Sequence, residues 1–412
     1  MAEASTHKGL LSQYQAMRQA YPGDKSPAFR QVFGQYLSWY QSFLGNYPEA
    51  MASYSVGQSP LKGDSPSPLT DAGYAARPAV DAIPKLTQGY RIVLLNEAHN
   101  IALTRSLTVQ LLSKLRQQGF NYFAAETLYQ TDTALQARGY PIDASGFYTR
   151  EPVYAEMVRT ALKLGFKVIA YEATSGAESS NARETEQARN IYKQVFKSDP
   201  HARLVVNAGY SHIVKSGAYL GGRSMAEHLY QLTHIPMLSI EQTMLYPHPS
   251  SSGNHPYYTA VMQKLRPKVP IVFVNGAGKP WSLRPGYDVS VFFPPVQMVY
   301  GRPDWLSLGG LRRPYRVSGD GCHRHYPCLV EARYSDEGDD AIVADRMVIA
   351  QTSLINFGAS ASMFRNDNGI PSGDLYLRPG KYRLRMVTDG DNVVGKRTIV
   401  VPDAPASLSV QP

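Results

Sequence analysis

The sequence predicts an α/β core, a mostly parallel sheet flanked by helices, between an N-terminal helical segment and a C-terminal all-β domain of sandwich type. Three observations carry this. From residue 80 to residue 300, short apolar runs alternate with stretches of helical period, as in parallel strands joined by crossover helices. Before residue 80 the helical period stands alone. After residue 300 it vanishes, and short alternating runs are separated by turn signals. The expected parts are 1–79, 80–300 and 301–412. Length agrees, since 412 residues exceed one ordinary core.

Each part has its own signals. Ser26-Pro27 reads as a helix cap followed by proline in the first turn. Phe29, Val32, Phe33, Tyr36, Leu37, Tyr40 and Leu44 then recur at helical spacing, an aromatic stripe suited to packing. Residues 55–67 are rich in Gly, Ser and Pro and read as a linker. Strands are expected at 92–95, 122–125, 168–171, 204–206, 237–240 and 271–274. Leu107, Leu111, Leu112 and Leu115 form one helix face, stopped by Gly119. Tyr154, Met157, Val158, Ala161 and Leu162 form another, stopped by Gly165. Asn181 with Glu184, and Ser224 with Glu227, have capping-box spacing at helix starts. In the last part, turn signals at 318–321, 335–340, 379–380 and 389–390 bracket short strands such as 381–387.

Composition narrows the function classes. Apolar content of 43% and charged content of 18% describe a folded, soluble chain. The net charge is +9, but Lys and Arg are dispersed. That implies weak attraction to anionic surfaces and no nucleic-acid footprint. No apolar run is long enough for a transmembrane segment. The two cysteines, Cys322 and Cys328, are six apart. A disulfide closing that loop fits an oxidising compartment. A metal knuckle with His323 and His325 is the rival, though its spacing matches no standard zinc pattern. The opening Met1-Ala2-Glu3-Ala4-Ser5 reads as an initiator Met before a mature exported start. A periplasmic or secreted protein, its signal peptide already removed, is the expectation. Oligomeric state has no signal.

Chemistry concentrates at the strand ends. The run 92–95 empties into Asn96, Glu97, His99 and Asn100. An open α/β sheet places its ligand site outside the carboxyl ends of its strands. Glu97 and His99, two apart on an extended chain, leave one face together. The bland alternative is a polar strand end whose His caps a helix. The theme repeats: 123–125 runs into Glu126, 168–171 into Glu172 and 204–211 into His212, while the fifth strand ends at Glu241-Gln242. Parallel strands share a carboxyl edge, so these side chains should line one cleft.

These residues resemble a family. Residues 94–100 are similar to the Gly-Glu-x-His strand end of the ChaN-like and erythromycin-esterase-like superfamily, with its TIKI/TraB-related α/β core. Ala125-Glu126 resembles its second-strand glutamate, and 181–191 its Arg-rich helix. Gly209, His212, Gly222, Met225, Ala226 and Leu229 resemble its Gly-x-x-His strand end and following helix. The resemblance spans roughly residues 85–245. Asn96 stands where the family usually has Gly, and the Glu-Ala-His spacing is nearer the ChaN type. The resemblance implies three activities: ester or lactone hydrolysis by His and Glu, metal-dependent peptide cleavage, or haem binding.

The leading expectation is a hydrolase of a small ester, amide or peptide-like substrate, using Glu97, His99, Glu126, Glu172, Arg183 and His212. His99, oriented by Glu97 or Glu126, would activate water. His212 would supply an acid or an oxyanion contact. Arg183 would stabilise developing charge or bind a substrate carboxylate; a structural ion pair with a buried glutamate explains it equally. A metal-assisted version would hold a divalent ion with His99, His212, Glu97 and Glu126. The alternative is a non-catalytic haem- or iron-binding protein of the ChaN type, with a tyrosine as axial ligand. No Gly-x-Ser-x-Gly elbow is present, and Ser211 points away from its neighbour His212 on an extended chain. Tyr148 and Arg150 read either as the cleft mouth or as an ordinary turn. Arg312, Arg313 and Arg316 read as a solvated rim.

Overall fold

The computed structural model describes residues 2–71, 73–174, 176, 179–350, 364–365 and 369–403. The chain divides into two compact units. One comprises 55–150 and 156–296, the other 1–54, 151–155 and 297–412. By contact, the N-terminal helices therefore belong with the C-terminal β region.

The first unit is built on a six-stranded, all-parallel sheet. Its order is Lys167–Ala170, Tyr122–Ala125, Leu204–Gly209, Ile92–Glu97, Met237–Glu241 and Val289–Ser290. The branched apolar runs form these strands because both faces are covered; every residue of Ile92–Glu97 and Leu204–Gly209 is buried. From Ile92–Glu97 the chain runs through helix Leu103–Gln117 to one side of the sheet. From Leu204–Gly209 it runs through helix Met225–Thr233 to the other side. These two strands are neighbours whose connections diverge. A crevice opens at such a switch point, outside the carboxyl ends.

Local signals explain the helix ends. Ser224 caps Met225–Thr233, its hydroxyl accepting the Glu227 N–H at 3.1 Å. Helix Leu103–Gln117 stops before Gly119, whose φ of +89° suits a residue without Cβ. The Asn181/Glu184 expectation is corrected. The cap of helix Ser180–Ile191 is Ser179, accepting the Ala182 N–H at 3.2 Å, and Asn181 lies inside the helix. A second correction concerns 271–274. Ile271–Asn275 is a strand, but it pairs antiparallel with Tyr74–Pro78 outside the parallel sheet. Ile271 is bridged antiparallel to Phe292, so the sixth place in the sheet falls to the short Val289–Ser290.

Among the described residues the second unit carries a short antiparallel pair, Met298–Val299 with Arg302–Pro303, and two larger antiparallel sheets. One orders Arg313–Ser318, Pro371–Leu377 and Phe364–Arg365. The other orders Asp345–Ile349, Cys328–Tyr334, Gly380–Thr388 and Asn392–Val401. Val317, Leu375 and Leu377 of the first share a core with Val330, Met347, Leu384 and Met386 of the second. Period-two alternation turns Leu329, Val348 and Val387 to the opposite face, where they meet Leu11, Tyr14, Leu37, Tyr40 and Leu44 of the N-terminal helices. Helix Pro27–Phe43 starts as expected, Ser26 Oγ accepting the Phe29 N–H at 3.4 Å. Cys322 and Cys328 form a disulfide with Cα atoms 6.1 Å apart. The arginine rim is corrected at Arg312, which is buried; Arg316 is exposed and pairs with Asp374. No helix among the described residues is long and apolar enough to cross a membrane.

Candidate functional site

The switch point brings the strand-end residues into one cluster. In the register of the central strands, Glu97 stands opposite Gly209 and Ala125 opposite Asn207. Glu97, Glu126 and Gly209 therefore end at one level of the sheet edge. His99 and His212 follow two and three residues later.

His99 has three neighbours that fix its ring. Its Nδ1 lies 3.3 Å from Glu97 Oε1. Tyr148 stacks on it at 4.4 Å and 24° between planes, and Tyr210 meets it edge-on at 5.2 Å. The ring lies over Gly209. A Cβ at Gly209 would come within 2.1 Å of His99 Cε1, 2.4 Å of its Nε2 and 3.0 Å of Glu126 Oε2. Gly209 has φ −72°, so here the missing side chain serves close approach, not backbone freedom. Among the described residues, His99 Nε2 has no hydrogen-bond partner.

Glu97 is held ionised. Arg105 grips it with Nε at 2.8 Å and Nη2 at 2.6 Å, and Asn207 Nδ2 donates to it at 2.6 Å. Burial alone would raise its pKa. The Arg105 charge and the His99 and Arg105 hydrogen bonds outweigh that and bring it down to about 2. Arg105 was invisible to reasoning about strand ends. Its signal lay on the helix, where it shares the buried register with Thr108 and Leu112. An arginine on a buried face needs a buried carboxylate.

His212 sits in a different environment. Its Nδ1 lies 2.8 Å from the Glu184 carboxylate and its Nε2 3.3 Å from Glu126 Oε1. Tyr219 packs edge-on against the ring at 5.3 Å. Burial opposes the imidazolium, but Glu126 and Glu184 overcome it and push the pKa up to about 10. Glu126 in turn is drawn well below the usual carboxylate range: burial works against ionisation, and His212, His99 and Arg183 prevail. It also accepts the Gly209 N–H. Glu184 is not the capping-box partner that its spacing from Asn181 predicts. Its carboxylate instead binds His212 and the Met225 N–H, because Glu184, Gln187, Ala188 and Ile191 form the buried face of their helix.

Arg183 and Glu172 form the open side. Arg183 Nε and Nη2 reach Glu172, and Nη2 also reaches Glu126, each at 3.0 Å. Gln187 donates to Glu172 at 2.8 Å. Among the described residues Arg183 Nη1 has no partner, and the side chain is 35% exposed against 4% for Glu126. The structure thus brings together Glu97, His99, Glu126, Glu172, Arg183 and His212. Glu241 stands apart on the neighbouring strand, fully buried beside Asn96 and Thr243. A separate cavity of about 850 Å³ in the same unit, lined by Tyr74, Lys85, Tyr90, Lys279, Trp281 and Tyr287, contains none of these six residues.

The donor set does not fit a metal ion. Both Glu97 oxygens accept from Arg105, Glu126 accepts from Arg183 and lies against His212, and both His212 nitrogens face carboxylates. A divalent cation there would meet two guanidiniums and an imidazolium. No three His, Cys, Asp or Glu among the described residues group as metal ligands. Burial pushes the phenols of Tyr148 and Tyr219, which pack on the two imidazoles, upward, with nearby glutamates adding to it.

No family model matches the sequence, and no curated protein matches it. Among solved structures the chain is similar to the type III effector HopBA1, at 13% identity over 54% of this chain and 99% of that one, with a TM-score of 0.33. It is similar to RRSP, an effector domain of a MARTX toxin from Vibrio vulnificus, at 13% identity over 56% and 45%, with a TM-score of 0.28. A third is the C-terminal region of Pasteurella multocida toxin, at 15% identity over 55% and 30%, with a TM-score of 0.27. The match spans less than half of the last two chains. At such TM-scores the likeness carries no argument about chemistry.

Proposed function

We propose that this cleft hydrolyses a small ester, amide or peptide-like substrate, with His99 as the general base. One observation carries the reading: an imidazole tethered at Nδ1 by an ionised glutamate and seated against a glycine, its Nε2 without a hydrogen-bond partner among the described residues. The tautomer that donates its Nδ1 proton to Glu97 has its lone pair on Nε2. A water held there loses a proton to Nε2 as its oxygen attacks the carbonyl carbon. The carbonyl oxygen takes up the negative charge, and Arg183 Nη1 is the open donor that can meet it. The tetrahedral species then expels its alcohol or amine, which takes the proton back from His99.

His212 has a different part in this reading. With both nitrogens committed to carboxylates, it fixes Glu126 and does not shuttle protons. Glu126, relieved of its own basicity, orients the water. The resemblance to the erythromycin-esterase-like branch agrees with this chemistry and remains part of the proposal.

The test is a panel of small esters, amides and peptides assayed with the purified chain, with and without a chelator. Turnover of at least one class, insensitive to the chelator and absent in His99→Ala, supports the reading. Activity abolished by chelation would overturn the metal-free mechanism. A haemin titration giving a Soret shift that a cleft substitution removes would favour the binding-protein alternative.

A further inference from the structure

Asn96 is buried at the end of strand Ile92–Glu97, directly before Glu97, yet it contributes nothing to the charged cluster. Its carboxamide points toward the neighbouring strand ends. Nδ2 donates to the Tyr210 carbonyl at 2.7 Å, and Oδ1 accepts the Gln242 N–H at 2.6 Å. Its own carbonyl accepts from Gln242 Nε2 at 2.7 Å. One side chain therefore ties the ends of three adjacent strands.

Tyr210 is the informative partner. It follows Gly209 with φ +42°, a left-handed conformation that costs a residue with a Cβ on the order of 1 kcal/mol. Surrounding contacts must hold such a conformation, and the Asn96 hydrogen bond is one that does so from the buried side. The turn has two consequences at the site. It ends the strand with Gly209 under the His99 ring, and it sets the edge of the Tyr210 ring against His99 at 5.2 Å.

We propose that Asn96 is a positioning residue for His99, acting through the Tyr210 turn. The proposal rests on the reading of His99 as base. A glycine in its place could not donate to Tyr210 O, so the amide is a specific feature of this chain's site. Glu241 and Thr243 also face the carboxamide, at 3.5 Å and 3.3 Å, and complete its buried surroundings.

The experiment pairs a spectroscopic readout with kinetics. In protein carrying isotope-labelled histidine, the His99 ring resonance is assigned by its disappearance in His99→Ala. Asn96→Asp keeps the acceptor for Gln242 and loses the donor to Tyr210. It should move the His99 resonance while leaving those of His248 and His255 in place. Its kcat should fall about 10- to 100-fold with KM little changed, the scale expected of a small misplacement of a reacting group. Against a His99→Ala background the same change should add nothing, since coupled residues are non-additive. Tyr210→Leu, which leaves Asn96 and the turn backbone intact, should reproduce both effects and covers the case of an Asn96 variant that does not fold. An unmoved His99 resonance in a folded variant, or an additive loss in the His99→Ala background, overturns the proposal. A moved resonance with no change in any rate overturns the reading of His99 as base and leaves the contact standing.

Discussion

The two imidazoles of the cleft are built from the same parts to opposite ends. His99 pairs at Nδ1 with one carboxylate, Glu97, which Arg105 already neutralises, and among the described residues its Nε2 has no hydrogen-bond partner. His212 lies between two carboxylates and is held as the cation that balances them. Counting histidines and glutamates cannot tell these apart. What separates them is how each ring is engaged: His99 meets a glutamate that Arg105 already pairs and keeps Nε2 open, whereas both nitrogens of His212 meet carboxylates, and Glu184 has no other ion-pair partner among the described residues.

The largest expected effect breaks the scaffold half. His212→Ala leaves Glu184 buried without its cation and Glu126 with Arg183 alone, which costs about 3–5 kcal/mol. Chemical denaturation should show this as a lower midpoint. A variant as stable as the parent would mean that His212 is not the balancing charge.

Gly209→Ala tests the reactive half. The added methyl must displace the His99 ring, because 2.1 Å is no permitted contact. Turnover should fall about 100-fold, or about 2.7 kcal/mol, for a displacement of this kind. An unaffected rate would remove His99 from the reacting position.

Stability against pH sharpens the contrast. The folded-state pKa of His212 is raised from 6.5 to about 10. Its contribution is full below 6.5 and is lost as pH rises through about 10. Glu97 is lowered from 4.5 to about 2, so its contribution is full above 4.5 and is lost as pH falls through about 2. The parent should therefore lose stability between pH 6.5 and 10 more steeply than His212→Gln. Parallel curves for the two proteins would contradict the assignment.

The smallest effect belongs to the open side. Arg183→Lys keeps a positive charge near Glu126 and Glu172 but removes the planar fork and its open Nη1. Initial rates should drop about tenfold, about 1.4 kcal/mol, with little change in melting temperature. A larger loss of stability than of rate would make Arg183 a structural ion pair alone.

Much of the site was legible because parallel strands buried on both faces are written as apolar runs, and such strands share one edge. That logic alone brought Glu97, Glu126, Glu172 and His212 together from distant positions. The pairing of charges was not legible. Arg105 and Glu184 reach the cleft from helices, and which helical residue faces the sheet depends on rotation and packing that strand patterns do not encode. The Asn181–Glu184 spacing imitated a cap because buried-face and capping periodicities coincide at three residues. Ile271–Asn275 has the composition of its parallel neighbours, yet tertiary pairing placed it elsewhere. The role of Asn96 was not legible either, because the direction of its side chain is set by Gln242 and Tyr210, which lie far from it in sequence.

The most direct test of the division between the two histidines is one preparation of His99→Ala measured twice, by initial rates on a turned-over substrate and by thermal melting. His99 is braced by ring contacts, with one nitrogen open. Loss of a general base lowers turnover by about two to four orders of magnitude. That loss is expected with a melting temperature close to the parent's. A lowered melting temperature without a specific loss of turnover would contradict it, placing His99 in the scaffold beside His212.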